Sequence, residues 1–166
     1  RLAGKAPRRC RPVNSALGCA KTMQTYSYVV HLRIWHPSID PAVISERLQI
    51  EPKHQGHAGK PRLTRLGKKL DGTWRETHWT ADPFNYGERL SHDMGIEDVL
   101  EEVAEAMVPH KEFFHLLRQE GGRLQVEVSS YSHRNYAFEL SPTLLRKFGD
   151  LGLSFVHDVY PVPQAW

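Results

Sequence analysis

The strongest chemical signal in this sequence is a run of basic residues in the first half of the chain. Between Glu51 and Asp71 there is no acidic residue, whereas lysine and arginine recur from residue 53 to residue 69. Such side chains bind phosphate oxygens, and neighbouring tryptophans can stack on nucleic-acid bases. The alternative is a solvated loop, or a loop that lies against an acidic helix of the same chain. The candidate binding residues are Lys53, Lys60, Arg62, Arg65, Lys68, Lys69, Trp74 and Trp79.

A predicted helix over residues 96–107 carries the opposite charge. Its apolar residues recur with the period of an amphipathic helix, and residues 97–105 hold five acids and no base. A charged helix face is usually solvated, but it also suits electrostatic contact with a protein partner. The candidate partner-binding residues on this helix are Glu101, Glu102 and Glu105.

The ten histidines of the chain raise the question of a metal site. His54 and His57 lie close together in a glycine-rich segment, and His78, His92 or Asp93 could complete a tetrahedral set of ligands. A second paired-ligand motif is missing. The alternative is a pair of solvent-facing histidines on a polar loop, and no cofactor is predicted.

Motifs for covalent catalysis are absent from the sequence. It has no Gly-x-Ser-x-Gly elbow and no Gly-x-x-x-x-Gly-Lys-Ser/Thr phosphate loop. Both cysteines, Cys10 and Cys19, precede the predicted fold. Glu127 and Glu139 fall on strands predicted to be adjacent, where they would either form a carboxylate pair or line a solvated face. The sequence therefore favours a protein that is not an enzyme.

The first 22 residues differ from the rest, because they contain six basic residues and no acid. We predict that residues 1–22 are a disordered basic tail, whether native, read through from upstream, or added. The formal charge of the whole chain is +3, so residues 23–166 carry about −3. We expect residues 23–166 to form one domain. Neither a secretory signal nor a membrane-spanning run is present, which predicts a cytoplasmic protein.

Hydrophobic periodicity predicts the elements that position these residues. Apolar residues alternate with polar ones over residues 26–35, which indicates a half-buried strand. Asp40-Pro41 and Ser141-Pro142 are typical beginnings of helices. Further strands are predicted at 74–80, at 124–128 with a hairpin partner at 136–140, and at 153–160, and residues 53–72 are predicted to form a long loop.

The predicted order is β-α-β-α-β-β-α-β, which indicates an α+β sandwich with a mostly antiparallel sheet and helices on one face. A two-half, ferredoxin-like pseudo-repeat is one arrangement consistent with this order. Pro109 should interrupt the helical region that starts near residue 96, and Gly121-Gly122 should end it.

With these elements in place, the chain resembles the mainly bacterial family catalogued as domain of unknown function 4279. The likeness covers roughly residues 23–160. The matching features are the aromatic first strand, Asp40-Pro41 with Ile44-Ser45, Leu48-Gln49-Ile50-Glu51-Pro52, Gly59, a tryptophan at Trp74 or Trp79, Leu151-Gly152-Leu153 and Asp158-Val159-Tyr160. The resemblance implies a compact α+β domain and carries over no functional residue.

We expect a small, non-catalytic domain that binds a protein partner, of an accessory or toxin-neutralising type. Its contact face would be the acidic helix or the region from residue 53 to residue 79. A nucleic-acid or phosphate-binding module that uses the basic stretch 53–69 is the alternative, and a metal-dependent enzyme is the third. The protein is expected to be a monomer or homodimer with no membrane association.

Overall fold

The computed structural model describes residues 25–64 and 66–161. The strands are β1 (Ser27–His36), β2 (His54–Gly56), β3 (Pro61–Leu63), β4 (Lys69–Thr73), β5 (Thr77–Ala81), β6 (Arg89–Leu90), β7 (Arg123–Ser132) and β8 (Ser154–Pro161). The helices are α1 (Pro41–Leu48), α2 (Ile96–Met107), α3 (Lys111–Gln119) and α4 (Pro142–Asp150), and a 3₁₀ turn (Val108–His110) links α2 to α3. The predicted tail at residues 1–22 lies outside the described residues.

The two predicted helix beginnings are confirmed. The Asp40 side chain accepts a hydrogen bond from Ala42 N–H at 2.9 Å, and Ser141 accepts one from Leu144 N–H at 3.1 Å. In each helix the proline that follows the cap occupies the first helical position, where a missing N–H leaves no bond unmade. Pro109 lies in the 3₁₀ turn and interrupts the helical region as predicted.

The main sheet has the strand order β2-β5-β1-β7-β8, with β6 paired to the beginning of β1. All its pairings are antiparallel except that of β7 with β8, which is parallel. The α+β class and the mostly antiparallel sheet are therefore confirmed. The two-half, ferredoxin-like repeat stays a prediction.

The predicted hairpin between residues 124–128 and 136–140 is wrong, because residues 136–140 form no strand. Their aromatic side chains pack on the sheet instead: Tyr136 stacks on Tyr26 with ring centroids 4.2 Å apart, and Phe138 meets His157 edge to face at 4.9 Å. The alternation of aromatic residues over 136–140 therefore reflects side chains that pack on the sheet, and not a strand. The backbone partner of β7 is β8, which comes later in the chain.

The predicted long loop over residues 53–72 is also wrong, because it contains three short strands. Strand β2 adds to the edge of the main sheet beside β5, and Lys53 N–H donates to the Thr80 carbonyl at 2.8 Å. Strands β3 and β4 form a separate two-stranded hairpin. Short polar strands of this kind lack the apolar alternation by which strands are recognised in a sequence.

The hydrophobic core lies between the sheet and the four helices. Alternate residues of β1, such as Val30, Leu32 and Ile34, face it and are almost completely buried. The amphipathic helices supply buried side chains to the same cluster, including Leu100 and Phe114. The described residues thus share one core, with the helices on one side of the sheet. Among them, none of the helices is long and apolar enough to cross a bilayer.

Candidate functional site

The side of the main sheet that faces away from the helices is called the open face here. Successive side chains of a strand point to opposite faces, and directly opposed residues of paired strands share a face. Because Leu32 and Ile34 are in the core, the residues between and beside them point the other way. The open face therefore includes His31, Arg33 and Trp35 of β1, His78 and Thr80 of β5, Gln125, Glu127, Ser129 and Tyr131 of β7, and Tyr160 of β8.

One end of the open face holds a cleft of about 380 Å³, which we call the Trp35–Trp74 cleft. Its lining residues are Trp35, Arg62, Thr73, Trp74, Arg75, Glu76 and His78. Trp35 lies opposite His78 in the β1–β5 pairing, and the Trp74 ring lies against His78 with centroids 4.1 Å apart. Pairing between β1 and β5 therefore brings together rings that are distant in the sequence.

Guanidinium groups lie over both indole rings of this cleft. The Arg62 guanidinium carbon is 5.3 Å from the Trp74 ring centroid, a distance typical of cation–π contact. Those of Arg33 and Arg123 lie 4.9 and 5.3 Å from the Trp35 centroid. The cleft thus combines two half-buried aromatic surfaces with positive charge.

The glycine at position 56 makes this packing possible. A Cβ atom added to Gly56 would lie 2.2 Å from His78 Cε1 and 2.6 Å from Trp74 Cε2. Real Cβ contacts are not this short, so any larger residue would push the two rings away from β2. Strand β2 therefore supports the Trp74 and His78 rings through a close backbone approach.

Ion pairs neutralise part of the charge around the cleft. Arg33 pairs with the buried Glu127 on β7, which also accepts a hydrogen bond from Gln125 at 3.3 Å. Arg123 pairs with Glu76 at 2.7 Å. Within residues 25–64 and 66–161, neither Arg62 nor Arg75 has an ion-pair partner, so these two cations give the cleft an excess of positive charge.

The histidines of the open face are held in their neutral form. Burial lowers the pKa of His78, and the nearby His54 and Arg33 lower it further. Burial also lowers the pKa of His31, with an added contribution from Lys53. Both imidazoles are therefore uncharged at neutral pH, and the positive charge of this face comes from its arginines.

The β3–β4 hairpin, which we call the basic hairpin, is exposed at every strand position. Gly67, with a φ of +77°, adopts the left-handed conformation that suits glycine in the turn. Lys60 precedes the hairpin, and Arg62, Lys68 and Lys69 lie within it. Its leucines also reach solvent: Leu63 is 55% exposed, Leu66 96% and Leu70 42%.

Two of the predicted binding residues do not contribute as expected. Trp79 is fully buried and its indole N–H donates to Ser45 Oγ at 2.9 Å, so the prediction that it stacks on a ligand is wrong. Its position in the alternation of β5 turns the ring into the core. Lys53 lies beside β5 and pairs with the buried Asp82 at 3.1 Å. Arg65 lies outside the described residues.

The three acids predicted to bind a partner all have contacts within the domain. Lys147 of α4 pairs with Glu101 at 2.9 Å and also with Glu105. The Tyr86 hydroxyl donates to Glu102 at 3.0 Å. The alternative that the basic stretch lies against this helix is not supported among the described residues, since the cation that pairs with the helix is Lys147.

The two candidate metal ligands have different surroundings. His54 is exposed on β2, opposite Thr80, and His57 Nδ1 lies 3.9 Å from an Asp40 carboxylate oxygen. In the part of the chain that the structure describes, no group of three or more His, Cys, Asp or Glu side chains is placed to hold a metal ion. The additional ligands that the metal hypothesis requires are therefore not supplied there.

The predicted carboxylate pair of Glu127 and Glu139 does not form. Glu127 is buried and paired with Arg33, so it does not line a solvated face either. Glu139 lies in the irregular segment after β7, where its backbone N–H donates to Glu97 at 3.1 Å. The pairing failed because residues 136–140 are not a strand.

A polar cluster that the sequence did not indicate joins this irregular segment to the sheet. His157 Nε2 lies 2.7 Å from Ser130 Oγ and 2.8 Å from the Tyr136 hydroxyl. Burial lowers the pKa of His157, so its ring stays neutral and shares hydrogen bonds at Nε2 with the two hydroxyl groups. Ser130 is fully buried and out of reach of a substrate, so the cluster anchors the segment rather than forming a nucleophilic site.

Sequence reasoning missed Trp35, Arg33, Arg75 and Arg123 as members of one site. Alternation already placed Arg33 and Trp35 on one face of the first strand, so a signal existed for those two. The remaining contacts depend on strand pairing between distant segments, which the sequence pattern does not reveal.

Comparison with known proteins gives one match. A family model described as "Domain of unknown function (DUF4279)" matches residues 24–162. No curated protein and no solved structure matches the chain. The matched range includes the open face, the basic hairpin and all four helices.

Proposed function

Since the chain belongs to the domain of unknown function 4279 family, whose description assigns no activity, we propose that it is a non-catalytic module that binds a protein partner through the basic hairpin. The observation that carries this proposal is the exposure of Leu63, Leu66 and Leu70 among basic side chains. These leucines bring apolar surface to a hairpin that is otherwise basic, and that surface is removed from water when a partner binds.

The chemistry of the hairpin defines the partner. Apolar side chains that become buried on binding supply affinity, while surrounding charges guide encounter and orientation. Lys60, Lys68 and Lys69 have no ion-pair partner among residues 25–64 and 66–161. The fitting partner is therefore a protein with an apolar groove bordered by acidic residues.

The acidic helix is a weaker candidate for the contact face. Glu101, Glu102 and Glu105 already hold contacts with Lys147 and Tyr86. A partner would have to replace these contacts, whereas the basic hairpin projects as a separate two-stranded sheet. We also propose that the protein binds this partner in the cytoplasm, as a monomer or a homodimer.

Site-specific photo-crosslinking in the native host tests the proposal. A benzophenone side chain replaces Leu66, and the same group replaces Leu116 on α3 as a matched control, because Leu116 is a comparably apolar surface residue, 47% exposed. We expect one acidic protein to be crosslinked from position 66 and not from position 116. High salt should reduce the yield, since screening weakens attraction between exposed charges.

The proposal is contradicted if no protein is crosslinked from position 66, or if positions 66 and 116 give an equal pattern. A crosslinked protein must also bind the purified full chain, and Lys68→Glu with Lys69→Glu must weaken that binding. Crosslinking to lipid or nucleic acid instead would reject a protein partner.

A further inference from the structure

We propose that the Trp35–Trp74 cleft binds a nucleoside phosphate unit, with the base against the cleft's aromatic and guanidinium planes and the phosphate at Arg62 and Arg75. The unit is either a free nucleotide or one residue of a single strand. The cleft shares Arg62 and Thr73 with the basic hairpin, but none of the three exposed leucines lines it, so the cleft and the proposed protein contact are tested by different variants.

Shape and size support a ligand of this class. The cleft volume of about 380 Å³ lies within the range of about 300–1,000 Å³ that is usual for small-molecule sites. Trp35 and Trp74 are both half-buried, so each is held by its neighbours while part of its surface remains open. Stacking on such rings is a common way to bind a base without reading its hydrogen-bonding edge.

The arginines supply a second planar surface as well as charge. A guanidinium group can stack on a base and bind phosphate oxygens through two parallel hydrogen bonds. Arg62 lies over Trp74, and Arg75 adjoins it in sequence and lines the same cleft. Neither has an ion-pair partner within the described part of the chain, so both are available to an anion.

The cleft also contains one carboxylate, that of Glu76, and one neutral imidazole, that of His78. Glu76 is held by Arg123 at 2.7 Å and therefore repels an incoming phosphate less than a free carboxylate would. His78 has a lowered pKa and remains neutral, so it contributes an aromatic surface and no charge. The excess positive charge of the cleft thus comes from Arg62 and Arg75.

Nuclear magnetic resonance on the full chain tests this inference. The indole N–H groups of Trp35 and Trp74 report on the cleft, and that of the buried Trp79 is an internal control. We expect adenosine monophosphate to shift the Trp35 and Trp74 signals and to leave the Trp79 signal in place. Adenosine and inorganic phosphate, tested separately, should each bind at least about tenfold more weakly. A short oligoadenylate distinguishes a strand from a free nucleotide by its relative affinity.

Matched variants identify the binding residues. Arg75 is exposed, so Arg75→Gln should leave the fold intact while it lowers the affinity for adenosine monophosphate about tenfold. Arg134→Gln is the control for the loss of a surface arginine. Trp35→Leu should weaken binding similarly, whereas Tyr160→Leu removes an aromatic residue from the far end of the open face and should not.

Several results would overturn the inference. These are the absence of Trp35 and Trp74 shifts with both adenosine monophosphate and oligoadenylate, shifts that inorganic phosphate reproduces in full, and unchanged affinity in both Arg75→Gln and Trp35→Leu. Replacement of Leu66 should have no effect on nucleotide binding. Failure of the crosslinking experiment is therefore distinguishable from failure of this one.

Discussion

Lys147 of α4 places its ammonium nitrogen 2.9 Å from a carboxylate oxygen of Glu101 on α2, and it also pairs with Glu105. The acidic side of α2 is therefore joined to a neighbouring helix. These acids support the packing of the two helices, and they are not simply a solvated surface.

Reversal of charge at this contact should lower the stability of the domain. Glu101→Lys replaces an attraction to Lys147 by a repulsion, so we expect unfolding at a lower urea concentration than in the wild type. Adding Lys147→Glu to this variant should restore part of the loss, because the pair is then re-formed in the opposite sense. Urea titration monitored by circular dichroism measures both. Glu88→Lys, at an exposed acid with no ion pair among the described residues, controls for the change in net charge.

The two tryptophans at positions 74 and 79 should respond very differently to removal. Trp79 is fully buried, so Trp79→Ala should reduce the free energy of unfolding by about 3–5 kcal/mol through lost burial and a cavity. Trp74 is half-buried in the cleft, so Trp74→Ala should reduce it by less. Chemical denaturation of both variants gives the comparison, and equal losses would contradict the buried position of Trp79.

The stability of the domain should fall as the solution is acidified. Burial lowers the pKa of His31, His78 and His157 below the ordinary value of 6.5. The unfolded chain then binds more protons than the folded one, so the stabilisation is complete above pH 6.5 and is lost as pH falls through that value towards the folded pKa. Melting temperatures between about pH 7.5 and pH 5.5 measure the slope.

His157 should account for part of this slope. His157→Gln removes one titrating group of the Ser130 and Tyr136 cluster, so we expect a shallower dependence of melting temperature on pH. His133→Gln, at an exposed position of the following segment, is the matched control for the loss of an imidazole. An unchanged slope in His157→Gln would contradict this assignment.

Asp82 should add a second, more acidic transition. Burial alone would raise the pKa of its carboxyl, but the hydrogen bond from Gly87 N–H at 2.7 Å and the contact with Lys53 lower it below its ordinary value. Its stabilisation is present above the unfolded pKa of about 4 and is lost as pH falls below it. Asp82→Asn should therefore lower stability at neutral pH and reduce the pH dependence in acid.

The packing at Gly56 predicts opposite effects for two glycine substitutions. Gly56→Ala would force a Cβ atom against the His78 and Trp74 rings, and such overpacking should lower the free energy of unfolding by about 1–3 kcal/mol. Gly149→Ala, in α4 with no heavy atom within 4 Å of its added Cβ, should raise it by about 0.5–1 kcal/mol. Thermal melts of the two variants measure the contrast, and a stabilised Gly56→Ala would contradict the close packing of β2.

Local patterns in the sequence were sufficient for several elements. These are the first strand, the capped beginnings of α1 and α4, and the interruption at Pro109. Each is determined by residues only a few positions apart in the sequence. The family likeness also depends on such local motifs and agrees with the family model. These features are set by periodicity, capping and backbone restriction, which act over short distances.

Other features of the fold and of the site depended on which distant segments of the chain come into contact. Alternation assigns residues to faces but does not choose the partner strand, so the parallel pairing of β7 with β8 and the irregular segment at 136–140 were missed. The same limit applies to the site. Trp74 and Trp79 look equivalent in the sequence, yet the alternation of β5 buries Trp79 in the core, and Trp74, just before that strand, remains in the cleft.

By itself, the sequence determined an α+β domain with segregated charge, because the period of apolar residues and the caps are properties of neighbouring residues. Only the tertiary structure decided that Trp35, Trp74, Arg62 and Arg75 form one cleft, and that Lys147 pairs with the acids of α2. These contacts join residues far apart along the chain. They arise when a common core forms and brings distant strands and helices together, a step that depends on the packing of the whole domain.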